Sequence, residues 1–294
     1  MKEESITIES NCDKLNLDVK LFIPNGDIKG IIQLSHGMIE HKEYYYDFMK
    51  FYTNKGYVTI INDHRGHGKS VKSIDDLGYF YDEKANYVVE DLHQITLYIK
   101  ERFPNKKIIL FGHSMGSLIV RKYLKKYDSS IDKLIICGSP SINYFSKIGL
   151  LLCKIVKRIK GDRYRSKFLN KIALGSNNNN WISNNEEYLK RYASDKLCGY
   201  IFTTNGFINL TTLVNEVYQN NYNVTNKNLE ILFIAGENDI VIKNKKRYIK
   251  SINHLKSVGY NNIKYKLYEN MKHAIMFENN NENVYKDVLA FIEK

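Results

Sequence analysis

Residues 106–124 read KKIILFGHSMGSLIVRKYL. An apolar run stops at Phe111, a glycine-bracketed pentad follows, and apolar residues return at helical spacing from Leu118. The pattern predicts a buried strand, a sharp turn and a helix. Ser114 stands in that turn between Gly112 and Gly116, which fits G-x-S-x-G, the strand-to-helix turn that presents a nucleophilic serine. Glycines on either side remove the side chains that would collide with the neighbouring strand and helix. The helix N-terminus beneath the serine favours developing negative charge. At ordinary glycine and serine usage the bare pattern arises by chance about 0.1 times in a chain of this length, so its placement between strand and helix carries much of the weight.

Outward from this turn, strand and helix patterns alternate. SITIE and LNLDVKLFIP read as two antiparallel strands, then GIIQLS as a short buried strand ending at His36-Gly37. A helix is predicted over about 44–54, the strand YVTIIND next, the glycine-rich loop HRGHGKS, and a helix over about 86–102 stopping near Pro104. After the Ser114 helix, to about residue 126, comes the strand KLIICGS. The alternation fails over residues 141–205 and resumes with a helix near 207–218, the strand EILFIAG, a helix over about 244–258, the strand IKYKLYE and a final helix. The expected architecture is a mostly parallel central sheet with helices on both faces. The core is 1–140 and 206–294, interrupted by an insertion over 141–205. The insertion follows a strand's C-terminal end, the side where open parallel sheets bind ligands.

A serine needs a base to take its proton, and the base needs an orienting acid. In this arrangement the chain order is Ser, then Asp or Glu, then His. Asp239 follows EILFIAG within ENDIV, and His273 follows IKYKLYE within NMKHAI. Both fall in loops on the side of the sheet that carries Ser114. Glu237 is the rival acid, but it sits nearer its strand. His254, the other histidine downstream, lies inside a helical pattern. The tetrahedral oxyanion requires two backbone N–H donors: Met115, directly after the serine, and Met38, in the loop HGMIEH after GIIQLS.

With these segments in hand, the chain resembles the α/β-hydrolase superfamily, and within it the monoacylglycerol lipase and lysophospholipase branch, a group of serine aminopeptidase S33-like hydrolases. HGMIEHKEYY, DHRGHGKS, GHSMGS and the ENDIV to MKHAI pair carry the resemblance, with DKLCGYIFTTNGF after the insertion. The likeness implies a triad of Ser114, Asp239 and His273, donors at Met38 and Met115, and an insertion that forms a helical cap shaping an acyl pocket. It implies hydrolysis of monoacylglycerols, lysophospholipids or similar single-chain esters through an acyl-enzyme, with no cofactor. Thioesterase, amidase or acyltransferase chemistry, or a non-catalytic ligand- or membrane-binding role, are the alternatives. Three departures stand out: Ile39 where a small residue is usual, Ser117 where a third glycine is common, and Lys196 in place of a proline. Ile39 is expected to narrow the pocket beside the donor loop.

Composition bounds the rest. Hydrophobic content of 43% and charged content of 26% are ordinary for a globular chain. The start MKEESITIES has acidic residues and no apolar core, so no signal peptide is expected. Four separated cysteines without a CxxC fit reduced thiols and a cytoplasmic protein. The net charge of +12 is dispersed and accompanies abundant Lys, Asn, Ile and 23 Tyr, so codon bias accounts for part of it and nucleic acid is not an expected partner. The H-x-x-H of His64 and His67 lacks further ligands for a tetrahedral site, so no metal is expected. The resemblance implies that this loop is structural and that Arg65 between them holds neighbouring loops.

In KIGLLLCKIVKRIK, Ile148, Leu151, Leu152, Ile155 and Ile159 form an apolar face, with Lys147, Lys154, Lys157, Arg158 and Lys160 around it. The expectation is that this face closes over the pocket. The competing reading is peripheral contact with an anionic membrane. GSNNNNWISNNEE is low in complexity and expected to be mobile. Its Trp181, the one tryptophan, is read with the other aromatics as filling and compositional bias, and a lid anchor is the lesser reading. Oligomeric state is not legible.

Overall fold

A computed structural model describes residues 1–175 and 179–294. The strands are β1 (Lys2–Glu9), β2 (Asn16–Ile23), β3 (Gly30–Ser35), β4 (Tyr57–Asn62), β5 (Ile108–His113), β6 (Lys133–Cys137), β7 (Glu230–Gly236) and β8 (Ile263–Tyr268). They form one sheet in the order β1-β2-β4-β3-β5-β6-β7-β8. The pairs β1/β2 and β2/β4 are antiparallel; every later pair is parallel. Strands β3 to β6 are buried along their whole length, as unbroken apolar runs must be when both faces are covered. The outer strands β1 and β8 expose lysines, which discourage edge-to-edge pairing.

The helices are α1 (Tyr46–Thr53), α2 (Tyr87–Arg102), α3 (Met115–Tyr127), α4 (Ser146–Lys160), α5 (Lys167–Leu174), α6 (Glu186–Ser194), α7 (Thr204–Glu216), α8 (Lys245–Ser257) and α9 (Glu282–Ile292). The chain leaves β3 through α1 towards β4, then returns to β5 on the other side of β3 and moves away through α3 to β6. Right-handed crossovers in opposite directions put α1 and α3 on opposite faces. The reversal opens a crevice at the carboxyl ends of β3 and β5, where such sheets bind ligands. The two loops emerging there are those of Met38 and Ser114.

The expected elements all form. Helix α7 begins three residues before the predicted start because the Thr203 hydroxyl accepts from Gly206 N–H and caps it. Among the described residues, 141–205 contribute α4, α5, α6, a short turn at Asn179–Trp181 and the first residues of α7, with no strand. Of the asparagine-rich stretch, residues 176–178 lie outside the described residues. All four cysteines are free thiols. Among the described residues, no helix is long and apolar enough to cross a membrane.

Helix α4 corrects the expectation for its apolar face. Of its five residues, Ile148, Leu151, Ile155 and Ile159 are 57, 58, 45 and 71% exposed, and Leu152 alone is half-buried against the core. The side that packs inward is a different one: Cys153 is buried, Gly149 faces Thr211 of α7, and Ser146 bonds Asn215. Small residues at 146, 149 and 153 allow that close approach to α7, and this turns the large aliphatic stripe outward.

Candidate active site

Ser114 sits between β5 and α3 with φ +52° and ψ −117°, a conformation that L-residues avoid. Its surroundings enforce it. A Cβ on Gly116 would stand 2.0 Å from the Ser35 carbonyl oxygen, and one on Gly112 would stand 2.6 Å from the Gly116 carbonyl. Ser114 N–H donates to the Cys137 carbonyl at 3.0 Å, tying the turn to the end of β6. Ser117, where a glycine is common, donates its hydroxyl back to the Ser114 carbonyl at 2.5 Å. That departure therefore adds a brace to the turn.

The loops after β7 and β8 bring Asp239 and His273 to this point. His273 Nε2 lies 2.8 Å from Ser114 Oγ, and its Nδ1 lies 2.9 Å from Asp239 Oδ2. Asp239 and His273 are both buried, 2% and 3% exposed. The second carboxylate oxygen, Oδ1, accepts from Val241 N–H at 2.8 Å, which fixes the acid's rotamer. A carboxylate only accepts, so Nδ1 carries its proton and Nε2 is left free to take one from the serine hydroxyl. Glu237 is exposed, and among the described residues no hydrogen bond or ion pair joins it to His273. His254 lies on α8, half-buried against Tyr218 and Tyr222.

The loop after β3 lies against the nucleophile: a Cβ on Gly37 would be 3.3 Å from Ser114 Cβ. Among the described residues, neither Met38 N–H nor Met115 N–H donates to a protein acceptor. Met115 opens α3, where the first N–H groups have no partner within the helix. Met115 directly follows the serine in the chain, and Gly37, the neighbour of Met38, lies against it.

The structure adds residues that sequence reasoning missed. Glu40 is buried beneath the donor loop and accepts from Gly37 N–H and from the Tyr45 hydroxyl, both at 2.6 Å. Tyr45 gives its single proton to that carboxylate, so the contact from His113 Nδ1 at 2.8 Å is a donation to Tyr45. Burial works to raise the Glu40 carboxyl, yet its contacts with His113 and Tyr45 hold it at about 2. The His113 ring lies 4.9 Å from that of His273. Nothing in single-sequence periodicity marks an inward glutamate in a loop.

Trp181, read with the bulk of the aromatics, lies beside the site with its ring centroid 5.2 Å from that of His273. The neighbouring cap residues fasten to the His273 loop: Ile182 accepts from Ala274 N–H at 2.8 Å, and Lys272 Nζ donates to the Asn180 carbonyl at 2.5 Å. On the other side, the cap reaches the donor loop. The Ile39 carbonyl accepts from the Tyr192 hydroxyl and from Gly199 N–H, each at 3.0 Å. Asp195 meets His41 Nε2 at 2.8 Å.

The histidines of HRGHGKS play structural parts. His36, His64 and His67 pack together in the interior, the His36 ring centroid 4.2 Å from that of His64 and 5.3 Å, edge-on, from that of His67. Burial pushes all three below the ordinary imidazole range, His67 to about 3. Arg65 is fully buried and binds Asp91, Asp13, Ser10 and the Phe80 carbonyl, joining the loops as expected. Among the described residues, the grouping with donor atoms close enough to hold a metal is His41, Asp195 and Cys198, within 4.8 Å of one another. There the His41–Asp195 hydrogen bond already occupies two of the three donors.

The sequence model of the family described as serine aminopeptidase, S33 matches residues 26–280. A monoacylglycerol lipase of Mycolicibacterium smegmatis is 28% identical over 140 residues, 47% of this chain and 47% of that protein. A probable lysophospholipase L2 of Haemophilus influenzae is 30% identical over 120 residues, 40% of this chain and 36% of that protein. The chain thus spans about half or less of the length of these curated relatives. Among solved structures, a thermostable carboxyl esterase from Bacillus coagulans in complex with glycerol superposes with a TM-score of 0.87 at 23% identity, covering 100% of this chain and 98% of that one. That likeness is one of fold.

Proposed function

We propose, on the premise that the chain belongs to the serine aminopeptidase S33 family of α/β-hydrolases, that it is a serine hydrolase of carboxylic esters. Its substrates in this reading are monoacylglycerols, lysophospholipids or similar single-chain lipid esters. The observation that carries the reading is the unbroken hydrogen-bonded path from Ser114 Oγ through His273 to Asp239. The names of the curated relatives support the choice of ester.

Ser114 Oγ attacks the ester carbonyl as His273 Nε2 takes its proton. The carbonyl π pair moves onto oxygen, and the N–H groups of Met38 and Met115 hold the resulting oxyanion. Asp239 keeps the imidazole in its tautomer and steadies the imidazolium. Collapse expels the alcohol, which leaves with the proton from His273. Water then attacks the acyl-serine, losing its proton to His273, and the second collapse releases the acid and restores Ser114. Residues 141–205 form the lid over this site, with Trp181 beside the imidazole. Fluorophosphonate labelling tests the reading: labelling of the wild-type chain, abolished by Ser114→Ala, supports it. A well-folded wild-type chain that resists the probe overturns it.

The lid also meets anionic lipid. The support is the outward stripe of Ile148, Leu151, Ile155 and Ile159 on a helix rich in lysine and arginine, a pairing suited to a negatively charged interface. Lys157 is engaged with Glu83, while Lys147, Lys154 and Arg158 have no ion-pair partner among the described residues. Binding to phosphatidylglycerol vesicles is expected to weaken with added salt and with the triple change Lys147→Glu, Lys154→Glu, Arg158→Glu. Binding that ignores both changes removes the membrane role.

A further inference from the structure

Ile39 is out of place by its backbone. It is a β-branched residue at φ +52°, where such side chains are genuine outliers and glycine is at ease. Relaxing Ile39 towards negative φ rotates the 38–39 peptide plane, and the compensating turn about the Met38 torsions re-aims the Met38 N–H in the plane before it. Two bonds on the Ile39 carbonyl that oppose this relaxation come from the cap. Tyr192, buried on α6, and Gly199, just beyond that helix, both donate to the Ile39 carbonyl at 3.0 Å. Between them Asp195 bonds His41 on the same loop. One cap segment, 192–199, therefore grips the donor loop at two residues.

We infer that this segment is a clamp that holds the strained donor loop in its working geometry, with Tyr192 as a positioning residue for the Met38 N–H. The oxyanion site is then complete only while the cap is docked, and a cap that lifts lets residue 39 relax and withdraws one donor. The clamp rests on the role proposed above for Met38. It requires that losing the Tyr192 hydroxyl act on the transition state and not on substrate binding, because the oxyanion exists only after attack. It also requires that the loss matter only while residue 39 is strained.

The test is a set of steady-state measurements on a short-chain monoacylglycerol. Tyr192→Phe is expected to lower kcat about tenfold, the size of one hydrogen bond in the transition state, with KM changed less than about twofold. Ile39→Gly in the Tyr192→Phe background is expected to recover most of the lost kcat, because glycine holds positive φ without a clamp. Ile39→Ala in that background, equally trimmed but still strained, is expected to recover little. Equal recovery by Gly and Ala, or an unchanged kcat in Tyr192→Phe, overturns the clamp. If Tyr192→Phe does not fold, Gly199→Ala disturbs the other arm and is read by the same Gly-against-Ala comparison. Wild-type labelling that depends on Ser114 separates the outcomes. With it intact, a negative result condemns the clamp alone; without it, the hydrolase reading itself has failed.

Discussion

The turn after β5 and the loop after β3 each hold one non-glycine residue at φ +52°, Ser114 and Ile39. The first is braced from within the sheet. Gly112 and Gly116 let strand and helix approach so closely that the chain has no room to relax, and Cys137 and Ser117 tie the turn down. The second has its braces outside the sheet, on Tyr192 and Gly199 of the cap. One strained turn thus belongs to the sheet. The other is bonded to a segment between β6 and β7 that also leaves an apolar stripe in solvent. On the function proposed above, the nucleophile is held by the core, whereas one oxyanion donor depends on the cap.

The sharpest way to break the contrast is to push on the core-braced turn. Gly116→Ala would place a Cβ 2.0 Å from the Ser35 carbonyl oxygen, a backbone contact that no side-chain rotation relieves. Overpacking of this kind is expected to cost at least about 3 kcal/mol, seen as a large drop in the urea midpoint with an unchanged m-value. A loss under about 1 kcal/mol would mean that the elbow is not held by close approach.

The two turns share a floor. Ser35, beneath Gly116, bonds His64 Nε2 at 2.9 Å, and His36, which precedes Gly37, packs against both His64 and His67. An unfolded imidazole takes a proton near pH 6.5, whereas burial delays that of His67 until about pH 3. Between those values the unfolded chain binds more protons, so stability is full above about pH 6.5 and falls as the pH drops through this window. The slope is up to about 1.4 kcal/mol per pH unit for each such histidine. His67 packs on Phe80, Tyr200 and Phe202, so His67→Phe keeps an aromatic ring and removes one proton. Denaturation curves at pH 4 to 7 should show a shallower slope for the variant; an equal slope refutes the assignment.

How much of this was legible in the sequence follows the same division. Unbroken apolar runs, glycine-marked turns and the order Ser, Asp, His are local patterns, and they located the strands, the elbow and three side chains that meet in hydrogen-bonding contact. Glu40, Tyr45 and His113 meet only because the turn at Lys42–Tyr45 folds back against the end of β5, so no periodicity announces them. Helix α4 was read from its pattern alone. A stripe of large aliphatics looks like a buried face until small residues on the opposite side prove to be the ones that fit α7. Trp181 and the 192–199 segment act across the cap–core boundary, where sequence separation exceeds any pattern. Ile39 was visible as an oddity of size, but its consequence is torsional.

That torsional reading has the smallest expected effect and the most specific one. Trimming Ile39, 9% exposed, loses buried surface in any variant, so a single substitution confounds packing with backbone. Comparing Ile39→Gly with Ile39→Ala cancels most of the packing. At an ordinary position alanine is the more stable by roughly 0.5–1 kcal/mol, because glycine gives up more chain entropy on folding. At a left-handed position the order inverts, with glycine ahead by about 1 kcal/mol. Thermal melts of the pair should show that inversion at residue 39, and the corresponding pair at Ser114 should show it too. Cutting the clamp with Tyr192→Phe then separates the two turns. Residue 39 becomes free to relax and its preference for glycine shrinks, while that at residue 114, held by the sheet, persists. If the preference survives at both, the donor loop is braced by something other than the cap.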